Sequence, residues 1–261
     1  MNPRIDVART DDIATVSLDN RDKLNALTVS MWKELAQALS ALSADDSLRC
    51  VVVRGSGREA FAAGADIAEF ARVRDTVEQA KAYHREYVFG ALRAVSECRH
   101  PTVAMIQGPC VGGGLEIACQ CDLRISGRSG RFGVPINRLG FSIAWDELTS
   151  LLPLAGKAVV LEILLEGRIL DAEEAYAKGL LTRVVADDRL EEEAYATARR
   201  IAAGAPLVAR WHKQYVRRLM PPVAPLSESE IEENFAYLKT EDYRIGHRAF
   251  LDKAKPKFVG R

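Results

Sequence analysis

The sequence has no charge to spare: 36 lysines and arginines balance 36 aspartates and glutamates across 261 residues. No overall field draws nucleic acid, so an anionic ligand has to be held by local groups. Nowhere do apolar residues run for the ~18 consecutive positions of a membrane span. The opening MNPRIDVARTDD holds no apolar core of a secretory signal. A cytoplasmic location, with no membrane and no nucleic acid as partner, is the expectation. The five cysteines form no CxxC pair and sit among apolar or small residues, which reads as reduced packing residues rather than metal ligands or a disulfide frame. The four histidines, His84, His100, His212 and His247, fall in no HxxxH or His–Cys pattern, so no metal is expected. Neither a Walker-type Gly-Lys motif nor a GxGxxG with a downstream acid occurs, which argues against nucleotide-hydrolysing or dinucleotide-dependent chemistry and leaves no resident cofactor to expect.

What is present is a chain of 48% hydrophobic residues, long enough to bury one large core. Alternating segments at 5–8 and 13–18 flank the turn-prone Thr10, Asp11 and Asp12 and predict an opening hairpin. From Val29 the period becomes helical, with Trp32, Leu35, Leu39 and Leu42 on one stripe and Thr28 as N-cap. Buried-type strands at 50–53, 102–107 and 122–126 alternate with a long helix at 77–96 and a short one opening at glycines 112–114. That alternation implies parallel pairing through crossover connections. Beyond Gly140 the pattern is almost wholly helical apart from an apolar stretch at 180–185, with Asp171 as an N-cap. Pro221, Pro222 and Pro225 mark a joint before the terminal helices.

The most informative stretch is PTVAMIQGPCVGGGLEIACQCDLRIS at 101–126. An apolar strand stops at Gly108, and three glycines then bare the backbone at a helix N-terminus, where N–H groups and the helix dipole favour negative charge. Glu116 lies in the first turn of that helix among Leu115, Ile117, Ala118 and Cys119. It reads either as an acid complementing the dipole or as a carboxyl in a half-apolar pocket that handles a proton. A second small-residue loop, FAAGADI at 61–67, follows the strand at 50–53. Two such loops at the C-terminal ends of strands mark the edge where open α/β sheets bind ligands.

The ordered blocks NALT at 25–28, FAAGADI at 61–67, QGPCVGGGLEIACQCDLRI at 107–125, RFGVP at 131–135 and LEGRILDAEEAYAKGLLTRVV at 165–185 resemble the crotonase (enoyl-CoA hydratase/isomerase) superfamily, and FLDKAKPKFVGR resembles its tail. The resemblance implies an α/β fold built as a spiral of ββα units over residues 1–200. It also implies a C-terminal helical region, 201–261, that assembles homotrimers or homohexamers, and an acyl-CoA substrate that brings coenzyme A with it. Carried over by position, Ala65 and Gly113 would supply two oxyanion-binding N–H groups, with Ala63, Asp66, Ile67, Ala68, Gly112 and Ile136 lining the substrate and Glu116 as a catalytic carboxyl. Two preorganised donors contribute on the order of 3 kcal/mol each to a developing oxyanion.

The sequence departs from the family's hydratases where a second glutamate should follow the proline of the FGxPE block. Here Phe132-Gly133-Val134-Pro135 is followed by Ile136, and bulky Phe141, Ile143 and Trp145 replace a glycine-rich turn. Hydration of a 2-enoyl-CoA is the leading reading, with Glu116 activating water and the α-proton coming from water or another acid. Isomerisation, decarboxylation or thioester hydrolysis around a single carboxyl is the alternative within the fold, and a non-catalytic acyl-CoA-binding module the alternative outside it. Asp146 and Glu147 are candidate replacement acids, although helix capping is their preferred explanation. Asn137 and Arg138 either reach the pocket or face solvent, and Lys253, Lys255 and Lys257 either meet CoA phosphates or form a solvated helix end.

Overall fold

The computed structural model describes residues 2–220, 227–257 and 259, so the proline joint at 221, 222 and 225 lies outside the described residues. Nine strands are assigned among them: β1 Arg4–Thr10, β2 Ile13–Asp19, β3 Cys50–Gly55, β4 Thr102–Ile106, β5 Pro109–Val111, β6 Leu123–Gly127, β7 Arg131–Gly133, β8 Leu170–Asp171 and β9 Arg183–Val185. β1 and β2 form the expected hairpin, with Thr10 opposite Ile13 across a two-residue turn in which Asp11 takes φ 54°. A six-stranded sheet runs in the order β1-β2-β3-β4-β6-β9, parallel from β2 onward. The exposed edge strand β1 carries Arg4, Asp6 and Arg9, charges that discourage pairing with another chain.

The central strands read as continuous apolar runs because both of their faces are covered. Alternation by two sends Val51, Val53, Ala104 and Ile106 into the main core with the helices Val29–Ala44 and Phe89–Glu97. Cys50, Val52, Val103 and Met105 face the other way, onto Leu190, Ala194 and Ala198 of the helix Leu190–Ala202. On Val29–Ala44 the buried residues are Met31, Trp32, Leu35 and Leu39, and Thr28 caps the helix by accepting from Met31 N at 3.3 Å. All five cysteines are free and buried, as their apolar settings suggested, and burial pushes the thiols of Cys50, Cys119 and Cys121 up to about 12.

A second sheet, which periodicity did not reveal, joins β5, β7 and β8. Its strands are two or three residues long, too short to show a period of two. It explains the ββα rhythm: β4 leaves the large sheet at Gly108, passes through β5 in the small one, and enters the helix Gly113–Gln120. The long helical stretch before β4 is also not uniform. Val77–Ala82 is α-helical, Tyr83–Val88 is a π-helix and Phe89–Glu97 is α-helical again. Beyond Gly140 helices dominate as expected, with Asp171 capping Ala172–Ala177 through Glu174 N at 2.8 Å.

The helix Trp145–Glu166, 22 residues long, is apolar enough to cross a membrane by length and composition alone, a property that a search for unbroken apolar runs does not register. Gly156, at φ 73°, breaks it in two, while Leu151, Val160 and Ile163 pack into the core.

Candidate active site

The loop after β3 and the turn after β5 meet at one place. Val111 N donates to Ala62 O at 3.0 Å, and Leu27 N donates to Gly64 O at 2.8 Å, while Asp66 N donates to Leu27 O at 2.8 Å. At Gly112 φ is 51° and ψ −126°, a conformation open to glycine and strained for other residues. A Cβ on Gly114 would lie 2.4 Å from Ala62 O, so the loops approach too closely for any side chain. This packing places both Ala65 and Gly113 on the lining of one cavity of about 640 Å³. Among the described residues neither backbone N–H finds an acceptor: Gly113 opens its helix, and the bridge between Leu27 and Ala65 uses the groups flanking Ala65.

Glu116 is 4% exposed on the same wall, on a helix whose residues from Gly113 to Cys119 are all buried. Its carboxyl is pushed well above the usual range, first by burial and then by the charge of Glu147, against the pull of Arg74.

The facing wall comes from distant segments. Arg74 is buried, its guanidinium 4.4 Å from the Phe141 ring centre and 4.8 Å from that of Phe70, and its Nε donates to Tyr237 Oη at 3.0 Å. Glu147 is buried as well. Its Oε2 accepts from Ala144 N at 3.0 Å, and its Oε1 lies 2.8 Å from His84 Nδ1. Burial pushes the Glu147 carboxyl up, but His84, Arg74 and the Ala144 N–H together outweigh it and hold the group below the carboxylate range. Burial lowers His84, more than the neighbouring Glu147 raises it, so the imidazole is neutral at neutral pH. One permanent cation, Arg74, thus faces two buried carboxyls. Its pull is felt by both, and their settings move them apart: Glu147 toward the charged form and Glu116 toward the protonated one.

Ala63, Ala65, Asp66, Ile67 and Ala68 line this cavity, and so do Gly112, Gly113, Glu116 and Ile136: the structure brings together the nine residues that the family resemblance assigned to the site. Asp66 is also committed structurally, since it accepts from Ala68 N at 3.3 Å and pairs with Lys23 Nζ at 2.7 Å. Glu147 and His84 line the cavity, whereas Asp146 is not among its residues. Capping and cavity placement are both true of Glu147, so the preference for capping alone is corrected. Arg138 reaches the cavity, while Asn137 turns to Leu165 O at 3.0 Å. Ala254 and Pro256 line the mouth, which sets the exposed Lys253, Lys255 and Lys257 around it. Sequence reasoning missed Arg74, Tyr83 and Lys23. In FARVRD, Arg74 looks like any surface helix charge, and nothing local marks it as buried.

A free pair of backbone donors beside a buried carboxyl in a largely apolar cavity is an arrangement able to hold developing negative charge and to handle a proton. Residues 8–261 match the enoyl-CoA hydratase/isomerase family, and the chain belongs to it. It is 35% identical over 260 residues, 98% of this chain and 97% of the other, to a protein of Mycobacterium tuberculosis named probable enoyl-CoA hydratase echA8. Among solved structures, an enoyl-CoA hydratase/carnithine racemase from Magnetospirillum magneticum is 51% identical with a TM-score of 0.82, covering 100% of this chain and 97% of that one. A methylmalonyl-CoA decarboxylase in complex with 2-nitronate-propionyl-CoA is 29% identical with a TM-score of 0.87, covering 98% of both. The fold is the crotonase α/β fold that the motifs implied.

Proposed function

We propose that this protein is an acyl-CoA-processing enzyme of the hydratase kind, adding water to a 2-enoyl-CoA through a thioester enolate. The observation that carries the reading is the buried Glu116, its carboxyl pushed toward the protonated form, lining the same cavity as the free N–H groups of Ala65 and Gly113. Those two donors would hold the thioester oxygen as charge develops on it, among largely apolar surroundings that strengthen the interaction. Lys253, Lys255 and Lys257 at the mouth, with Lys23, would face the phosphates of the CoA that the substrate brings.

Decarboxylation is the second reading, favoured by the likeness to methylmalonyl-CoA decarboxylase. It ranks lower because the ionised Glu147 in the same cavity repels a substrate carboxylate. A turnover screen of short, branched and aromatic 2-enoyl-CoAs beside 3-enoyl- and malonyl-type CoAs decides between them. On the best substrate, Glu116→Gln should leave folding and CoA affinity intact and lower kcat by at least ~100-fold. Wild-type turnover in that variant would make Glu116 structural, and binding without turnover of any substrate would favour a carrier module.

The same proposal extends to a cytoplasmic homotrimer or homohexamer. The helix Pro206–Leu219 buries none of its residues within the chain, and Leu207, Trp211, Tyr215 and Leu219 recur at four-residue spacing on one exposed face. Phe250 and Leu251 are exposed as well, while Phe258 lies outside the described residues. A monomer by light scattering would overturn the assembly.

A further inference from the structure

Position 136 carries no acid, so a hydratase mechanism in this chain needs a second proton-handling group from elsewhere. Resting on the hydratase reading, we propose that Glu147 is that group: it takes the proton of the attacking water while Glu116 delivers its own proton to Cα, and His84 is the residue that positions Glu147. Three observations carry this. Glu147 and Glu116 line one cavity, and Ile136, where the second glutamate would stand, presents an apolar side chain to the same space. Glu147 is also fixed: Ala144 N holds one carboxylate oxygen at 3.0 Å, and His84 Nδ1 lies 2.8 Å from the other. Among the described residues a buried cation that acts on both acids, Arg74, is held among Phe70, Phe141 and Tyr237. The proposal puts the charge on Glu147, beside the Ala144 N–H and His84, and the proton on Glu116 in its apolar helix, the pairing that addition of H and OH across a double bond requires.

The step balances. As the water oxygen bonds to Cβ, its proton passes to the Glu147 carboxylate and the C=C π pair moves toward the carbonyl. The carbonyl π pair moves onto the thioester oxygen, which the Ala65 and Gly113 N–H groups hold. Collapse of the enolate re-forms C=O, and Cα takes the proton of Glu116. Glu147 is then protonated and Glu116 ionised, and transfer of that proton from Glu147 to Glu116 restores the resting pair. The roles differ from the sequence expectation, in which Glu116 activates the water.

His84 lies in the π-helical turn Tyr83–Val88, the kind of local widening often found at functional sites. Both ring nitrogens are buried and neither makes a hydrogen bond of good geometry among the described residues, so the ring is not anchored from its far side and its close polar approach is that of Nδ1 to Glu147. The contact with Glu147 is then the polar contact that sets its orientation.

Two readouts test the proposal on the full-length protein: hydration of crotonyl-CoA, and exchange of the α-hydrogens of butyryl-CoA with D₂O. Exchange needs the oxyanion donors and Glu116 as the base, once its own proton has passed to Glu147 or to solvent, but no attacking water. Glu147→Gln is expected to lower hydration by at least ~100-fold. It should also abolish the acid limb of the kcat/KM pH profile and retain α-exchange, whereas Glu116→Gln loses both activities. His84→Asn should move the acid limb upward with a smaller loss of kcat. If Glu147→Gln does not fold, Glu147→Asp, which withdraws the carboxylate by one methylene, should lower kcat with KM nearly unchanged. Hydration at the wild-type rate in Glu147→Gln, or in Glu147→Asp if only that variant folds, overturns the role of Glu147 alone. Loss of α-exchange along with hydration in a folded Glu147→Gln also overturns it, because the residue then serves the whole site. A wild type that exchanges α-hydrogens yet hydrates no enoyl-CoA overturns the underlying hydratase reading.

Discussion

The two walls of the cavity are built by opposite means. The wall formed by residues 61–68 and 107–116 is made of backbone, and small residues shape it because any side chain would collide: a Cβ on Gly114 would sit 2.4 Å from Ala62 O. The facing wall is made of side chains from segments that meet only in three dimensions, with Arg74, His84 and Glu147 brought together by 70–74, the π-helical turn and the start of Trp145–Glu166. The first wall carries its constraint in the residues themselves. The second carries it in contacts, so its chemistry is set by tertiary packing and its residues look unremarkable in the chain.

If the facing wall depends on one cation balancing one carboxylate, removing that cation should do the most damage. Arg74→Met removes a buried positive charge that helps hold the Glu147 carboxyl low, and it should lower stability. Chemical denaturation should show that loss, and in whatever folded fraction remains the acid limb of the activity profile should move to higher pH. An unchanged midpoint and profile would mean that Arg74 belongs to the aromatic cluster alone.

A more selective comparison uses pH. The folded-state pKa of Glu116 is raised, so its contribution to stability is fully present below the unfolded carboxylate pKa of about 4.3 and is lost as pH rises through the folded value. Glu147 is lowered, so its contribution is present above the unfolded pKa and is lost as pH falls through the folded one. Urea unfolding across pH should therefore show Glu116→Gln gaining on the wild type as pH rises and Glu147→Gln gaining on it as pH falls. Parallel curves would contradict the split.

The smallest effect is expected at Ile136. In the wild-type background Ile136→Glu adds a third carboxyl to a cavity with one nearby buried cation, and crotonyl-CoA hydration should not rise. In the Glu147→Gln background the same substitution should recover part of the lost hydration, because Ile136 lines the same space. Rescue in neither background would show that position 136 does not reach the reacting carbons.

The sequence made the hairpin, the central strands, the helix caps and the backbone wall legible, because local rules govern each: a period of two, an N-cap, a glycine at a helix start. The small second sheet was illegible because its strands are too short for a period, and Arg74 because a buried cation is chosen by the four rings around it rather than by its neighbours in the chain. Glu147 was ambiguous for a more instructive reason. The capping explanation was correct, with Ala144 N as donor, yet the same side chain also faces the cavity.

The π-helical turn Tyr83–Val88 has a consequence for how this wall tolerates change. An α-helix advances about 100° per residue and a π-turn by less, so letting these residues relax to α-geometry with none removed would rotate Tyr83 and His84 by roughly one residue's angle against Ala91, Leu92 and Val95, which are buried farther along the same helical run, whereas deleting one residue as the turn relaxed would leave that phase nearly unchanged. The turn is in effect a phase shifter. It allows the part of the rod that faces the cavity and the part that anchors it in the core to keep independent rotational settings on one continuous support.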